Sequence, residues 1–313
     1  MYVNICSHNS QGLLNDCVIL KNKLKEQYKV NQFICEERDI NTIKQNETYD
    51  KQFFIEHIFP NLLTNSPCNI YIPNLEFINQ NDYNLMQTKY IKYVIAKTNH
   101  SYNELYKILG NKVVKWIWSS IDRNICTIQP DFNQYLHIKG QSRFKNSQMI
   151  LDIWRNHPEW PMLHIVHYGD LNKNGFLQIK EPVVINDNIT LYQYKLDDNS
   201  LKHLMNKCGN HICPSQTEGY GHYINEARSV GAVIITTNSE PMNEFTTKKY
   251  GFLVNVNSIK KLNMGMLCLI EQSELENTIK KCINTSLKNK LKQSKIGKTL
   301  YKNTVLGLYN NIV

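Results

Sequence analysis

Short apolar segments alternate along the chain with longer segments in which apolar residues recur every three or four positions. Residues 2–6 (YVNIC) form a short apolar run, and a polar turn that ends at Gly12 follows it. The next segment predicts a helix, because four apolar side chains would share one of its faces: Leu13, Cys17, Leu20 and Leu24. The pattern predicts a strand, a turn and a helix, the opening unit of an α/β domain.

The same alternation continues to the middle of the chain. Further strands are predicted at residues 32–36, 69–72, 93–96 and 113–118, and a helix over 101–109 stops at Gly110. A polar connection follows, so we place a domain boundary within residues 125–135. We expect a first domain at 1–130, a second at 131–295, and a final helix at 296–313 that packs back on the first.

The pattern then restarts. Strands are predicted at residues 136–138, 163–167, 189–192, 211–213, 233–236 and 252–254, with helices at 147–155, 201–208 and 221–230. Two doubly wound, Rossmann-like α/β domains would therefore face each other across a cleft. Ligands of such folds bind at the carboxyl ends of the strands, so the cleft is the expected site.

Composition restricts the function classes. The chain is 42% hydrophobic and 20% charged, which argues against disorder. Its net charge is +9, but the lysines are scattered along the chain except over residues 280–298. We interpret that stretch as the solvated face of a helix, and we expect no nucleic-acid partner. No apolar run reaches the roughly 18 residues that span a membrane, so we expect no transmembrane segment. The nine cysteines are scattered, which indicates reduced thiols and a cytoplasmic protein.

The clearest chemical signal is the string HICPSQTEGYGHYIN at residues 211–225. A loop with Gly219 and Gly221 leads from a buried strand into a helix, whose first N–H groups and dipole would favour a diphosphate. Glu218 and Glu226 stand eight positions apart, at most about 12 Å along a helix and on roughly one face. One carboxylate could accept hydrogen bonds from the sugar and the other from the ribose.

A second signal is YLHIKGQSRFKN at residues 135–146. Here a strand is followed by Gly140 and then by two cations. Arg143 offers a planar fork to phosphate oxygens, and Lys145 offers a point charge. Both would neutralise a departing diphosphate.

These two strings resemble retaining glycosyltransferases of the GT-B fold, specifically family 4, the glycosyl transferases group 1. That family has Pro-Ser-x-x-Glu-Gly-Phe-Gly and a second Glu eight positions after the first, which residues 214–221 and Glu226 match. It also has an upstream Gly-Arg…Lys-Gly loop, here residues 140–146. The resemblance is strong over 135–260 and weaker in the first half, where Lys97-Thr98 and residues 119–122 fit.

The resemblance implies roles for individual residues. Lys145, Arg143 and Glu218 would be catalytic: the two cations hold the diphosphate, and Glu218 touches the transferred sugar. Glu226 would hold the ribose. The remaining donor contacts would be Gly12, Gly140, Ser142, Gly219, Tyr220, Gly221, His222 and Tyr223. Gln141 occupies the place of the usual family arginine, so either Arg143 substitutes for it or one cation is missing.

The resemblance also implies an activity. A sugar would be transferred from a UDP- or GDP-linked donor to a hydroxyl of a glycan, glycoprotein or glycolipid. The transfer would retain the anomeric configuration and would need neither a metal nor a cofactor. The alternative is an inactive domain that only binds nucleotide sugars. Asn74 or Glu76 would take the place of a family histidine near the sugar. His100 is interpreted as a surface residue, and His203, Cys208, His211 and Cys213 as core residues rather than a zinc site.

Overall fold

The first of two large sheets contains six parallel strands in the order β2–β1–β3–β4–β5–β6. The computed structural model describes residues 1–36, 47–140, 142–167 and 181–310. The elements of the first half are β1 (Tyr2–His8), α1 (Gln11–Leu24), β2 (Lys29–Cys35), β3 (Lys51–Ile55), β4 (Asn69–Ile72), α2 (Gln80–Gln87), β5 (Ile91–Ala96), α3 (Asn99–Leu109) and β6 (Val113–Lys115).

The second sheet has seven strands in the order β13–β12–β11–β7–β8–β10–β9, parallel except for the β10–β9 pair. Its strands are β7 (Asp131–Gly140), β8 (Met162–His167), β9 (Val183–Asn186), β10 (Ile189–Tyr192), β11 (Cys208–Cys213), β12 (Val233–Thr237) and β13 (Gly251–Val254). Its helices are α4 (Ser147–Arg155), α5 (Asp198–Lys207), α6 (His222–Val230) and α7 (Met242–Phe245). The prediction of two doubly wound α/β domains is confirmed.

The last part of the chain adds a hairpin and two helices. The hairpin pairs β14 (Ser258–Leu262) with β15 (Gly265–Leu269), and it is followed by α8 (Gln272–Ile283) and α9 (Leu287–Asn310). None of the helices in the described ranges is both long and apolar enough to cross a membrane.

The central strands are buried from end to end because helices cover both faces of each sheet. All residues of β4, β11 and β12 are buried. Such continuous burial is typical of parallel strands, whose connecting helices pack on both sides. In α6 every residue except His222 is buried, because this helix is packed between the second sheet and α9.

Several predicted boundaries differ from the structure. The strand predicted at 113–118 ends at Lys115, and the helix predicted at 201–208 begins at Asp198 and ends at Lys207. The helix predicted at 221–230 begins at His222, since Gly221 is its N-cap. The final helix begins at Leu287 rather than near residue 296. Strands β3 and β9, the hairpin and helices α2 and α7 were not predicted.

Two contacts tie the halves together across the cleft. The Glu244 carboxylate accepts hydrogen bonds of 2.8 Å from the backbone N–H groups of Asn99 and His100, at the start of α3. On the other side, the hairpin tip donates from the Asn263 amide to the Glu76 carbonyl at 2.6 Å. The first contact places a carboxylate at the positive end of a helix, and both contacts join the second half of the chain to the first.

Helix α9 connects the two halves behind the cleft. The hydroxyl of Tyr301 donates to the carbonyl of Ser120 at 2.7 Å, and Tyr301 is buried. Nearer its end, α9 packs Gly307 against Ile117. The helix therefore contacts the segment that links the two sheets as well as α6.

Candidate active site

The loop between β11 and α6 opens toward the first domain. Gly221, its last residue, has a φ of +83° and caps α6 in the left-handed conformation, which glycine adopts at little cost. Backbone N–H groups at the start of a helix have no carbonyl one full turn before them and form its positive end. In α6 the Ile224 N–H already donates to the Gly221 carbonyl at 3.1 Å, so the end is formed by the N–H groups before it. This end of the helix meets side chains of both domains.

Gly219 packs closely against the first domain. A Cβ on Gly219 would lie 2.7 Å from the Cβ of Asn74, which follows β4. Only glycine fits such a gap without displacing one domain from the other. The glycine predicted to lie beside a donor therefore also fixes how closely the two domains meet.

The two loops singled out in the sequence are joined to each other. The backbone N–H of Gln216 donates to the Phe144 carbonyl at 2.7 Å, and the Asn146 amide donates to the Pro214 carbonyl at 2.8 Å. The amide of Gln216 donates in turn to the side chain of Asn146 at 2.8 Å. Residues 142–146 and 214–221 therefore form one continuous surface.

Lys145 and Arg143 occupy different positions on this surface. The ammonium group of Lys145 lies 3.8 Å from the ring centre of Tyr223, in the first turn of α6. The guanidinium of Arg143 is exposed and stacks 5.0 Å from the Phe144 ring. Of these two cations, Lys145 is the one that lies at the helix start. Gln141 lies outside the described residues.

The Glu218 carboxylate is oriented by a chain of hydroxyl groups. Ser215 donates to Glu218 Oε1 at 2.6 Å, and the Tyr223 hydroxyl lies within hydrogen-bond distance of the same Ser215 oxygen. Since the serine proton is committed to the carboxylate, the tyrosine must be the donor in the second bond. Tyr223 and Ser215, both buried, thus hold Glu218 at the edge of the loop.

Glu226 is buried against the first domain. Its Oε1 accepts a hydrogen bond of 3.1 Å from the Asn15 amide on α1 and lies 3.8 Å from Nε of Arg123. Burial raises the pKa of this carboxyl, and the charges of Arg123 and His222 counteract only part of that effect. A ribose bound to Glu226 would have to share the carboxylate with Asn15.

A buried ionic cluster beside the helix start was not found in the sequence. Asp16 on α1 accepts from Lys97 Nζ at 2.8 Å, from Trp118 Nε1 at 2.6 Å and from His222 Nε2 at 2.9 Å. Burial would raise the Asp16 pKa, but the charges and hydrogen bonds of Lys97 and His222 outweigh it and lower that pKa. Asp16 therefore remains a carboxylate that bridges both domains.

Asn74 extends this cluster to the loop. Its side-chain oxygen accepts from Lys97 at 2.8 Å, and its amide nitrogen donates to Glu56 at 3.0 Å. The same side chain contacts Gly219. Asn74, which the sequence offers as a sugar contact, connects a buried lysine with the glycine loop.

Glu76 is a buried acid at the same edge of the cleft. Burial raises its pKa to about 8, opposed by its own backbone hydrogen bond and assisted by the nearby charge of Glu218. The hairpin tip covers it, since a Cβ on Gly265 would lie 2.9 Å from the Glu76 nitrogen. With a pKa of about 8, the Glu76 carboxyl is mostly protonated at neutral pH.

The remaining predicted donor contacts are spread around the loops. Gly12 borders open space, Gly140 ends β7 with a φ of +58°, and Ser142 accepts from the Phe144 N–H at 3.2 Å. The buried hydroxyl of Tyr220 donates to the Trp118 carbonyl at 2.7 Å. His222, besides contacting Asp16, lies 3.0 Å from the Ser120 hydroxyl.

Three histidines outside the loops are also interpreted from the sequence. His203, expected in the core, is exposed on α5. His100 is not a surface residue: it is only 8% exposed and lies 3.1 Å from Glu240 across the domain interface. His211 is buried and donates from its ring to the Met205 carbonyl at 3.0 Å. Within the part of the chain that the structure describes, no three His, Cys, Asp or Glu side chains are grouped to hold a metal ion.

Solved structures share this fold over nearly the whole chain. Alr3699/HepE from Anabaena, solved with UDP, has a TM-score of 0.69 at 14% identity, covering 99% of this chain and 98% of its own. A sucrose-phosphate synthase from Thermosynechococcus elongatus has a TM-score of 0.69 at 11% identity, with coverages of 97% and 95%. WaaG, a glycosyltransferase involved in lipopolysaccharide biosynthesis, has a TM-score of 0.63 at 11% identity, with coverages of 98% and 96%. The fold is thus the GT-B fold.

The sequence gives the family. No curated protein matches the chain. The profile of the family described as Glycosyl transferases group 1 matches residues 122–285, just over half of the chain, and includes both loops of the site. The chain therefore belongs to the glycosyl transferases group 1 family and is a GT-B glycosyltransferase.

Proposed function

We propose that the protein transfers a sugar from a nucleotide-diphosphate sugar to an acceptor hydroxyl, with retention of anomeric configuration and without a metal ion. The observation that carries this proposal is the position of Lys145 against the first turn of α6, 3.8 Å from the Tyr223 ring centre. A lysine and a helix N-terminus that meet in an interdomain cleft form an anion site suited to a diphosphate.

The leaving group is the first part of the mechanism. As the bond from the sugar to the diphosphate breaks, negative charge grows on the phosphate oxygens. Lys145 and the α6 N-terminus stabilise that charge without having to rearrange, and Arg143 adds a more exposed cation. These groups supply the positive charge that a divalent cation supplies in other enzymes, which supports a metal-independent reaction.

The sugar is placed on the side of Glu218. Its carboxylate, held by Ser215, accepts hydrogen bonds from sugar hydroxyls and favours positive charge that develops at the anomeric carbon. The acceptor approaches from the first domain, on the side of Gly12, where the structure is open. We nominate no separate base, since the departing phosphate oxygen can take the acceptor proton from the same face of the sugar.

The donor base is the least constrained part of the proposal. HepE, which shares the fold, was solved with UDP, and this supports a UDP-sugar as the first donor to test, with GDP-sugars second. Glu226 on α6 is the residue proposed to accept from the ribose, with Asn15 of the first domain as its partner.

The experiment combines binding with product analysis. A panel of UDP- and GDP-sugars is screened by thermal shift, and a donor at a hundredfold excess over its Kd should add about 2.7 kcal/mol of stability. The stabilising donor is then incubated with sugar and glycolipid acceptors, with and without EDTA, and the product anomer is assigned by NMR. An inverted product, or activity lost in EDTA, would refute the finer proposal. Binding without turnover would identify an inactive nucleotide-sugar-binding domain.

A further inference from the structure

The net charge of the chain is concentrated near its C-terminal end. Residues 277–313 contain eight lysines and no acidic residue, whereas the first 276 residues contain 28 basic and 27 acidic ones. The first part is thus almost neutral, and nearly all of the +9 charge lies on the end of α8 and on α9.

Helix α9 has two unlike faces. Its inner face packs on the protein through Lys290, Gly297 and Tyr301, which are buried. Its outer face carries a row of exposed lysines, spaced four, three and seven positions apart so that they share one side of the helix. We name this row the lysine stripe: Lys288, Lys292, Lys295 and Lys302.

Within the described ranges, the lysine stripe is not neutralised by acidic side chains. None of its four members takes part in an ion pair with any of the residues that the structure describes. The stripe extends over fifteen helical positions, about 21 Å at 1.5 Å per residue. An uncompensated row of this length attracts an extended anionic partner.

Large apolar side chains are exposed on the same helix. Leu287 is 60% exposed and Leu291 is 51% exposed, one turn apart at the edge of the lysine stripe, and Leu306 is 63% exposed near its other end. A helix that presents lysines and leucines together to solvent has the character of one that lies in a membrane interface.

We propose that α9 docks the protein on an anionic lipid bilayer. The lysine stripe contacts the phosphate and carboxylate groups of the lipid heads, while Leu287 and Leu291 enter the boundary with the acyl chains. A polynucleotide would match the lysines equally well but would leave the leucines in water, so the bilayer accounts for more of the surface. This docking is separate from donor chemistry, because no residue of the stripe belongs to the proposed active site.

Vesicle co-sedimentation tests the proposal directly. The full chain is mixed with vesicles of phosphatidylcholine alone, or of phosphatidylcholine with phosphatidylserine. We expect binding only to the vesicles that contain phosphatidylserine, and weaker binding at high salt, where exposed charges are screened. Failure of the unmodified protein to bind these vesicles at low salt would overturn the proposal.

Variants separate the two parts of the surface. Changing all four stripe lysines to Gln should weaken binding at least about tenfold. The pair Leu287→Ser and Leu291→Ser should also weaken it, at unchanged charge. The control removes the same charge from four exposed lysines elsewhere, each changed to Gln: Lys25, Lys89, Lys248 and Lys249. This control should bind as the unmodified protein does, and all variants should keep its thermal midpoint.

Two results would contradict docking on a bilayer. An equal loss in the control variant would show that net charge alone governs binding. Unchanged vesicle binding in the leucine pair, together with polyuridylate binding that depends on the lysine stripe, would show that the surface serves a soluble polyanion. Donor binding is measured on the same variants, and its retention keeps this test independent of the proposed reaction.

Discussion

The imidazole of His222, at the start of α6, donates a hydrogen bond of 2.9 Å to Asp16 on α1, so the carboxylate of one domain binds the helix start of the other. Lys97 lies 2.8 Å from the other oxygen of the same carboxylate. The three side chains place two cationic or proton-donating groups around one buried anion. The domain interface is therefore ionic at the position where the diphosphate is proposed to bind.

Replacing Asp16 with Asn should destabilise the protein strongly. Lys97 would remain buried without a counter-ion, and breaking a buried pair in this way costs about 3–5 kcal/mol. Urea denaturation measures the loss. The matched control is Glu104→Gln, which breaks an exposed pair with Lys107 and should cost about 1 kcal/mol or less. Similar losses for both variants would show that Asp16 does not stabilise the interface.

The sequence revealed the parts of the site that are contiguous in the chain. The strand, glycine loop and helix at residues 211–230 follow one another, so local pattern and turn chemistry suffice to predict them. The N-cap glycine was placed within one residue for the same reason. The place of Lys145 in the loop after β7 could be predicted too, because the loop directly follows its own strand in the sequence.

The ionic cluster could not be predicted because its members come from distant segments. Asp16 stands on α1 beside the apolar face that defined the helix, and Trp118 lies past β6 in a segment that was expected to be strand. Only the packing of two domains brings these residues to His222. The hairpin was missed for another reason: all residues of β14 except Leu262 are exposed, so it lacks the apolar alternation of a half-buried strand.

The carboxyl of Glu76 should make stability depend on pH. Its pKa is raised to about 8 from 4.5, chiefly by burial, so the folded protein keeps a proton that the unfolded chain releases. The free energy of unfolding should therefore fall as pH rises between these two values, by at most about 1.4 kcal/mol per pH unit. Below 4.5 and above 8 this contribution no longer changes with pH.

The variant Glu76→Gln isolates this effect, since it keeps the shape and remains neutral. Urea denaturation at several pH values across that range should show a flatter profile for Glu76→Gln, which gains stability relative to the unmodified protein as pH rises. Parallel profiles for the two proteins would contradict a protonated Glu76.

Gly219 and Gly12 should respond in opposite ways to an added methyl group. A Cβ at Gly219 would lie 2.7 Å from that of Asn74, so Gly219→Ala should cost about 1–3 kcal/mol as the domains are pushed apart. Gly12 lies in the first turn of α1 with nothing within 4 Å, so Gly12→Ala should raise stability by up to about 1 kcal/mol. Urea denaturation compares the two variants, and a destabilising Gly12→Ala would show that its surroundings are not open.

Lys145 and Arg143 should differ in their importance for transfer. Lys145 lies against the first turn of α6, while Arg143 is exposed and stacked on Phe144. If Lys145 stabilises the departing diphosphate, Lys145→Ala should lower kcat by about 100- to 1000-fold, as the loss of one preorganised charge-stabilising group does elsewhere. Arg143→Ala should lower it far less, because water screens an exposed charge. Initial rates at saturating donor measure both effects, and circular dichroism confirms that each variant is folded. A larger loss for Arg143→Ala would show that Arg143, and not Lys145, is the main cation that stabilises the departing diphosphate.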